Sequence, residues 1–207
     1  MIKPRINSKK YSPLYGSIFS YNALMYHNPK KKQIILVRHA KALELSEFQG
    51  MDFDRPLSER WSAALHIIAK YLRLIGVKPD RIVSSPAMRT KQTALWLCEQ
   101  FRDLSVEYVK NLYNGGSVGK RDADTLHLEV VHSMRKDATI LMIVGHNDDL
   151  TNFAEYLSWD HVPSMKKWSV AVLALPDGMD WKDVKKWTLS FVYYLTPQFL
   201  RLEEIPL

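Results

Sequence analysis

Two histidines and two arginines in this chain each follow a short apolar run, and that placement decides what they can do. LVRHAKA sets Arg38 and His39 directly after QIILV (Gln33–Val37). SSPAMRTKQTA sets Arg89 in the first turn of a helix that follows the run Arg81–Ser84. IVGHND sets His146, with Asn147 behind it, after TILMIV (Thr139–Val144). A histidine after a buried strand is ordinarily structural, and Arg89 alone reads as a helix-surface residue. The order carries more: Arg-His, then Ser-x-x-x-Arg-x-x-x-Thr, then Gly-His. If the three runs are parallel strands, their carboxyl ends share one edge, where open α/β sheets bind ligands. Arginine forks bond phosphoryl oxygens in pairs, and free N–H groups at helix starts add donors. Dense positive charge also keeps a neighbouring imidazole neutral and able to attack phosphorus. The set suits a tetrahedral dianion such as phosphate, with Asn147 as a further binding group.

The elements that must deliver these residues alternate strand and helix signals. Ser58–Ile75 predicts a helix, since Trp61, Leu65, Ile68, Leu72 and Ile75 recur at helical spacing. Ser58 is its expected cap and Gly76 its stop. Pro86 suits the first turn of the next helix, which runs to about Arg102 with Ala94, Leu97, Cys98 and Phe101 inward. Val106–Lys110 reads as a third strand, Ala123–Arg135 and Asp148–Leu157 as helices. Trp168–Leu175 and Trp187–Leu195 read as two last strands around DGMDWKDVKK. The expectation is a three-layer α/β/α sandwich, with a mostly parallel central sheet and an antiparallel C-terminal part.

Composition narrows the classes. The 207 residues suit one domain, and 46% hydrophobic with 25% charged is ordinary for a globular chain. No apolar run approaches the roughly 20 residues of a membrane span, and no secretory signal pattern opens the chain. Cys98 is the single cysteine, so an intrachain disulfide is excluded and a cytoplasmic setting is the simpler reading. The net charge of +7 sits in residues 1–32, which hold seven lysines and arginines and no acid. The remaining 22 basic residues balance 22 acidic ones. Residues 1–32 therefore read as a basic leader, solvated or packed on the domain through its tyrosines and Phe19, and residues 33–207 as the domain. A leader of this kind can touch nucleic acid, but a solvated tail is the plainer reading.

LVRHAKA is similar to the Arg-His-Gly signature of the histidine phosphatase superfamily, with Ala40 for the usual glycine. DFDRPLSER (Asp52–Arg60), SSPAMRTKQTA and IVGHND resemble the SixA-like phosphohistidine phosphatase branch. The resemblance runs from about residue 33 to 196. It implies a phosphoglycerate-mutase-like fold, His39 as nucleophile, Arg38 and Arg89 as phosphate binders, and His146 as a second phosphate contact. Trp61 stands where the family usually has glycine, and Asp148 and Asp149 stand where Pro-Gly is common. Acids at a helix start suit its dipole, yet they bring negative charge close to a phosphate site.

The implied activity is phosphoryl transfer to His39 and then to water, without metal or cofactor. A proton donor to the leaving group is worth roughly 10²–10⁴ in rate. Asp52, Asp54, Asp122, Asp124 and Asp148 are candidates, though Asp52 and Asp54 can equally pair with Arg55 to fix their loop. Without such an acid the enzyme favours easy leaving groups, as in phosphohistidine. The connections hold no long insertion to fold over the site, which suits phosphate presented on a protein surface. Protein phosphohistidine is thus the favoured substrate, and a small phosphoester the runner-up. The rival class is a silent phosphate- or phosphoprotein-binding module.

Several further motifs are decoys. NGGSVGKR (Asn114–Arg121) is one residue short of a P-loop, and HLEVVH (His127–His132) is not HExxH. His66 falls off its helix's apolar stripe. The tryptophans at 159, 168, 181 and 187 read as packing residues.

Overall fold

The computed structural model describes residues 31–202 apart from 60–61, 102–103, 114–122 and 159. Most of the basic leader, NGGSVGKR and Trp159 lie outside the described residues. Six strands form one sheet in the order β3-β2-β4-β1-β5-β6. They are β1 (Gln33–Arg38), β2 (Arg81–Ser84), β3 (Val106–Tyr108), β4 (Ile140–Gly145), β5 (Val170–Ala174) and β6 (Ser190–Leu195). Strands β1 to β4 are parallel to one another, while β5 pairs antiparallel with both β1 and β6.

Helices cover both faces, which explains why β1, β4 and β5 are apolar without alternation. Successive side chains of a strand point to opposite faces. Ile34 and Leu36 meet the layer of α3 (Ala123–His132) and α4 (Asp149–Leu157), with Val131, Phe153 and Trp181. Ile35 and Val37 meet the layer of α1 (Ser62–Leu74), α2 (Met88–Gln100) and α5 (Pro197–Leu202), with Ile68, Leu97 and Leu200. The expected three-layer sandwich and its antiparallel C-terminal part are what the chain forms.

Several element ends differ from expectation. The described part of helix α1 is Ser62–Leu74, and the Ser58 hydroxyl donates to the Lys41 carbonyl at 3.1 Å. Pro86 lies before the cap residue Ala87, so α2 begins at Met88 with Arg89 second. The third strand ends at Tyr108 and passes into a 3-10 turn, Lys110–Leu112. Strands β5 and β6 begin two and three residues late, because Trp168 (φ 68°) and Trp187 (φ 60°) take left-handed backbone. Helix α5 follows β6 unforeseen. Lys31 and Lys32, at the end of the leader, ion-pair with Asp177 (3.4 Å) and Asp180 (3.1 Å). No helix among the described residues is long and apolar enough to cross a membrane.

Candidate active site

The parallel pairing of β1, β4 and β2 is what assembles the site. Arg38 lies opposite Gly145 in register, and the His39 N–H donates to the Gly145 carbonyl at 3.0 Å. His39 and His146 therefore leave adjacent strands side by side, with ring centroids 5.4 Å apart. Glycine at 145 lets Leu150 pack close, since a Cβ there would stand 3.1 Å from a Leu150 methyl. Ser84 lies opposite Val144, and α2 then brings Arg89 in from the β2 side. His39, His146, Arg38, Arg89 and Asn147 line one cleft of about 570 Å³.

Residues four apart share a helix face, which places Thr93 beside Arg89 on α2, while Ser85 stands in the turn before that helix. Ser85 Oγ is 2.8 Å from His146 Nε2. Arg89 is 6% exposed in the cleft wall. The Thr93 hydroxyl donates to the Arg89 carbonyl and accepts from the Ala40 N–H at 3.0 Å, which fixes the backbone beyond His39.

These contacts set the imidazole tautomers. The Ala40 carbonyl can only accept, so His39 Nδ1 (2.6 Å away) carries the proton and Nε2 keeps its lone pair. Arg89 Nη2 can only donate, so His146 Nδ1, 3.4 Å away, is an acceptor. The proton of neutral His146 then sits on Nε2, facing Ser85. Burial is the first cause that lowers the His39 pKa well below its ordinary 6.5, helped by His146, Arg89 and Arg38 against the bond to Ala40. Burial likewise pushes His146 down to about 3, with Arg89 adding to the shift and Asp52 opposing it. Burial also lowers Arg38, while Asp148 pulls it the other way.

The arginines are held from behind. Arg38 Nη1 donates to the Met165 carbonyl. Arg89 donates to Asp52 through Nη1 to its carbonyl (2.6 Å) and Nη2 to Oδ2 (2.9 Å). The buried Nε atoms of both arginines have no hydrogen-bond partner among the described residues. Asp52 also binds Arg55, through Oδ1 at 2.7 and 2.9 Å. Burial alone would raise its carboxyl, but the bonds and charges of Arg55 and Arg89 hold it below the ordinary range.

The expected proton donors fare unequally. Asp52 is committed as a carboxylate to two arginines, which argues against an acid role. Asp54 is exposed and does not line the cleft. Asp122 lies outside the described residues, as does the side chain of Asp124. Asp148 is exposed and accepts from Asn147 Nδ2 at 3.0 Å. It stands at the centre of a γ-turn (φ 57°, ψ −56°) closed by the Asp149 N–H on the Asn147 carbonyl at 2.7 Å.

Sequence reasoning missed three neighbours of the cleft. Tyr113 packs edge-on to His146 (5.4 Å) and donates to Asp52 Oδ2 at 3.2 Å. Glu44 lines the cleft and ion-pairs with Lys167 (3.7 Å) and Lys41 (4.0 Å). Lys167 lines it too. No contact pattern in the sequence links these loop residues to the strand ends. No group of acids, histidines and cysteine among the described residues could hold a metal ion. His66 is exposed, edge-on to Trp96, and His132 Nε2 is 2.7 Å from the Val184 carbonyl.

A buried neutral imidazole, a second imidazole and two guanidiniums facing one hollow have the chemistry to bind a phosphoryl group and accept it on nitrogen. The family model for the histidine phosphatase superfamily (branch 1) matches residues 34–136. The structure of protein histidine phosphatase SixA complexed with tungstate superposes with a TM-score of 0.67, covering 81% of this chain and 99% of that one at 18% identity. That likeness concerns the fold. A SixA chain from Nakamurella multipartitia superposes at 0.64, covering 80% and 96%, with 25% identity. An uncharacterized chloroplastic protein of Arabidopsis thaliana is 28% identical over 130 residues, 61% of this chain. The match spans 59% of that relative's own length.

Proposed function

The chain belongs to the histidine phosphatase superfamily, and from that membership and its cleft we propose that it hydrolyses phosphoryl compounds through a phosphohistidine at His39, with protein phosphohistidine as favoured substrate. One observation carries the reading: His39 Nε2 keeps a lone pair free, fixed by the Nδ1 bond to Ala40, beside two guanidiniums and 5.4 Å from a second imidazole.

The reaction has two displacements. The phosphoryl group docks between Arg38, Arg89 and His146, with Asn147 also in the cleft wall. The His39 Nε2 lone pair forms an N–P bond as the bond to the leaving group breaks, and the leaving group keeps that electron pair. Water then attacks phosphorus, and the N–P electrons return to Nε2. Two small barriers replace one large one, and the cationic walls offset charge that develops on the oxygens. Neutral His146 has no proton on Nδ1. It accepts there from Arg89 Nη2 and so helps hold that guanidinium in the cleft wall.

The substrate preference rests on the proton donor. Among the described residues, Asp52 and Glu44 beside the cleft are tied to cations, and exposed Asp148 accepts from the Asn147 amide. A leaving group that needs little help fits this, and phosphohistidine departs readily once its own imidazole is protonated. A cytoplasmic setting belongs to the same proposal and rests on the unbridged Cys98.

Turnover of a phosphorylated histidine-phosphotransfer domain, compared with sugar phosphates, tests the preference. Faster turnover of the protein supports it, and faster turnover of the sugar phosphates assigns a small-molecule phosphomonoesterase instead. No turnover of either, nor of a chromogenic phosphate ester, assigns a binding module.

A further inference from the structure

Arg38 has a second side. Behind it, away from His39, lies another hollow of about 430 Å³, lined by Arg38, Lys41, Lys166, Lys167, Trp168 and the start of α5. Among the described residues, the four charged ones that line it are all cations. Arg38 and Lys167 line both this hollow and the phosphoryl cleft, so the two adjoin through shared walls. Glu44, the acid that pairs with Lys41 and Lys167, stands on the cleft side. Lys166 has no ion-pair partner among the described residues, and its charge is left for something else.

The lysines are not a loose surface cluster. Their loop is pinned at successive residues. Met165 donates its N–H to Thr151 Oγ1 at 3.0 Å and accepts from Arg38. The Lys166 N–H donates to the Tyr194 hydroxyl at 2.8 Å, and its carbonyl accepts from Ser169 at 3.0 Å. Trp168 donates its N–H to the His39 carbonyl at 3.4 Å, in left-handed backbone unusual for tryptophan. The nucleophile's own strand thus holds the loop that presents Lys166 and Lys167. A hollow of this volume suits a compact group.

We propose that this hollow is a second anion subsite, and that the substrate carries a carboxylate or phosphate a few bonds from the phosphoryl group that His39 attacks. The inference rests on the phosphoryl-transfer reading above. The second anion reaches the enzyme either on a small molecule or as an acidic side chain beside a phosphohistidine, and the chemistry of recognition is the same. Exposed lysines act weakly one by one and are screened by salt. Three of them with a partly buried arginine give about a tenfold preference at low ionic strength, or about 1.4 kcal/mol.

Two phosphonates test this without turnover: propylphosphonate and 3-phosphonopropionate, which differ in the terminal carboxylate. Calorimetric titration of the full chain at low salt is expected to give about tenfold tighter binding of the carboxylate compound. The preference shrinks as salt is raised and falls to twofold or less in Lys41→Ala/Lys166→Ala. Equal binding of both by wild-type protein overturns the subsite alone, and so does an undiminished preference in the double variant. Failure of both phosphonates to bind overturns the phosphoryl-site reading and the subsite with it. Turnover of phosphohistidine peptides with Glu or Ala beside the phosphorylated residue distinguishes the sources. A Glu preference that the double variant loses assigns a protein-borne anion, and its absence alongside the phosphonate preference assigns a small molecule.

Discussion

Lowering the pH from 7 to 5 should destabilise this protein by an amount its two cleft imidazoles set. Both are neutral when folded: burial and the arginines hold His39 well below 6.5 and His146 at about 3. In the unfolded chain both return to about 6.5. Their folded pKa values are depressed, so below 6.5 the unfolded chain binds more protons, and stability falls as pH falls. For His146 the loss runs from about pH 6.5 down to about 3. At pH 5 His146 has lost about 2 kcal/mol of its contribution, at 1.36 kcal/mol per pH unit below 6.5, and His39 loses stability in the same direction. The His146 share alone is a sizeable part of the ~5–15 kcal/mol that holds a domain together. Urea unfolding at both pH values measures it, in buffers free of phosphate, since a bound anion stabilises the folded state by itself. His39→Gln/His146→Gln should lose almost none of that stability over the same interval. If wild type and double variant lose stability in parallel over this interval, the two rings are not buried neutral beside the arginines.

Further predictions concern single contacts. Arg89→Lys replaces a planar fork with a point charge and should lower kcat/KM by about 10²–10³, measured on a chromogenic phosphate ester. Thr93→Val removes the acceptor of the Ala40 N–H at a fully buried position and should cost about 1–3 kcal/mol in urea unfolding. Asp148→Gly relieves the γ-turn at φ 57° and removes an acid whose charge Arg38 feels. It should stabilise the fold by about 1 kcal/mol, a rise of about 2–4 °C in Tm, and tighten inorganic phosphate in a calorimetric titration.

The strands at the heart of the site were legible because burial on both faces leaves an unbroken apolar run. QIILV and TILMIV could be placed within a residue, and Arg81–Ser84 at both ends. The strand ends then dictated where Arg38, His39 and His146 emerge. What escaped depends on contacts made across the chain. Tryptophan gives no signal for left-handed backbone, so the starts of β5 and β6 were hidden. The Ser58 hydroxyl donates to the Lys41 carbonyl, a contact that tertiary structure makes and local spacing does not signal. Pro197 at the first position of α5 was a readable signal in a helix of only six residues. Tyr113, Glu44 and the lysine loop come from turns whose positions no periodicity fixes. Asp52 could be assigned to Arg55 from spacing alone, but its grip on Arg89 needed α2 packed beside the first loop.

Phosphoryl transfer through a covalent enzyme intermediate is the central claim, and one trapping experiment addresses it. The full chain is mixed with a substrate labelled on its phosphoryl group, quenched in alkali within a turnover, and mapped by peptide. A label that survives alkali, falls off in acid, maps to His39 and is missing from His39→Ala is the predicted result. Undiminished hydrolysis by His39→Ala, or a label on any other residue, contradicts the account.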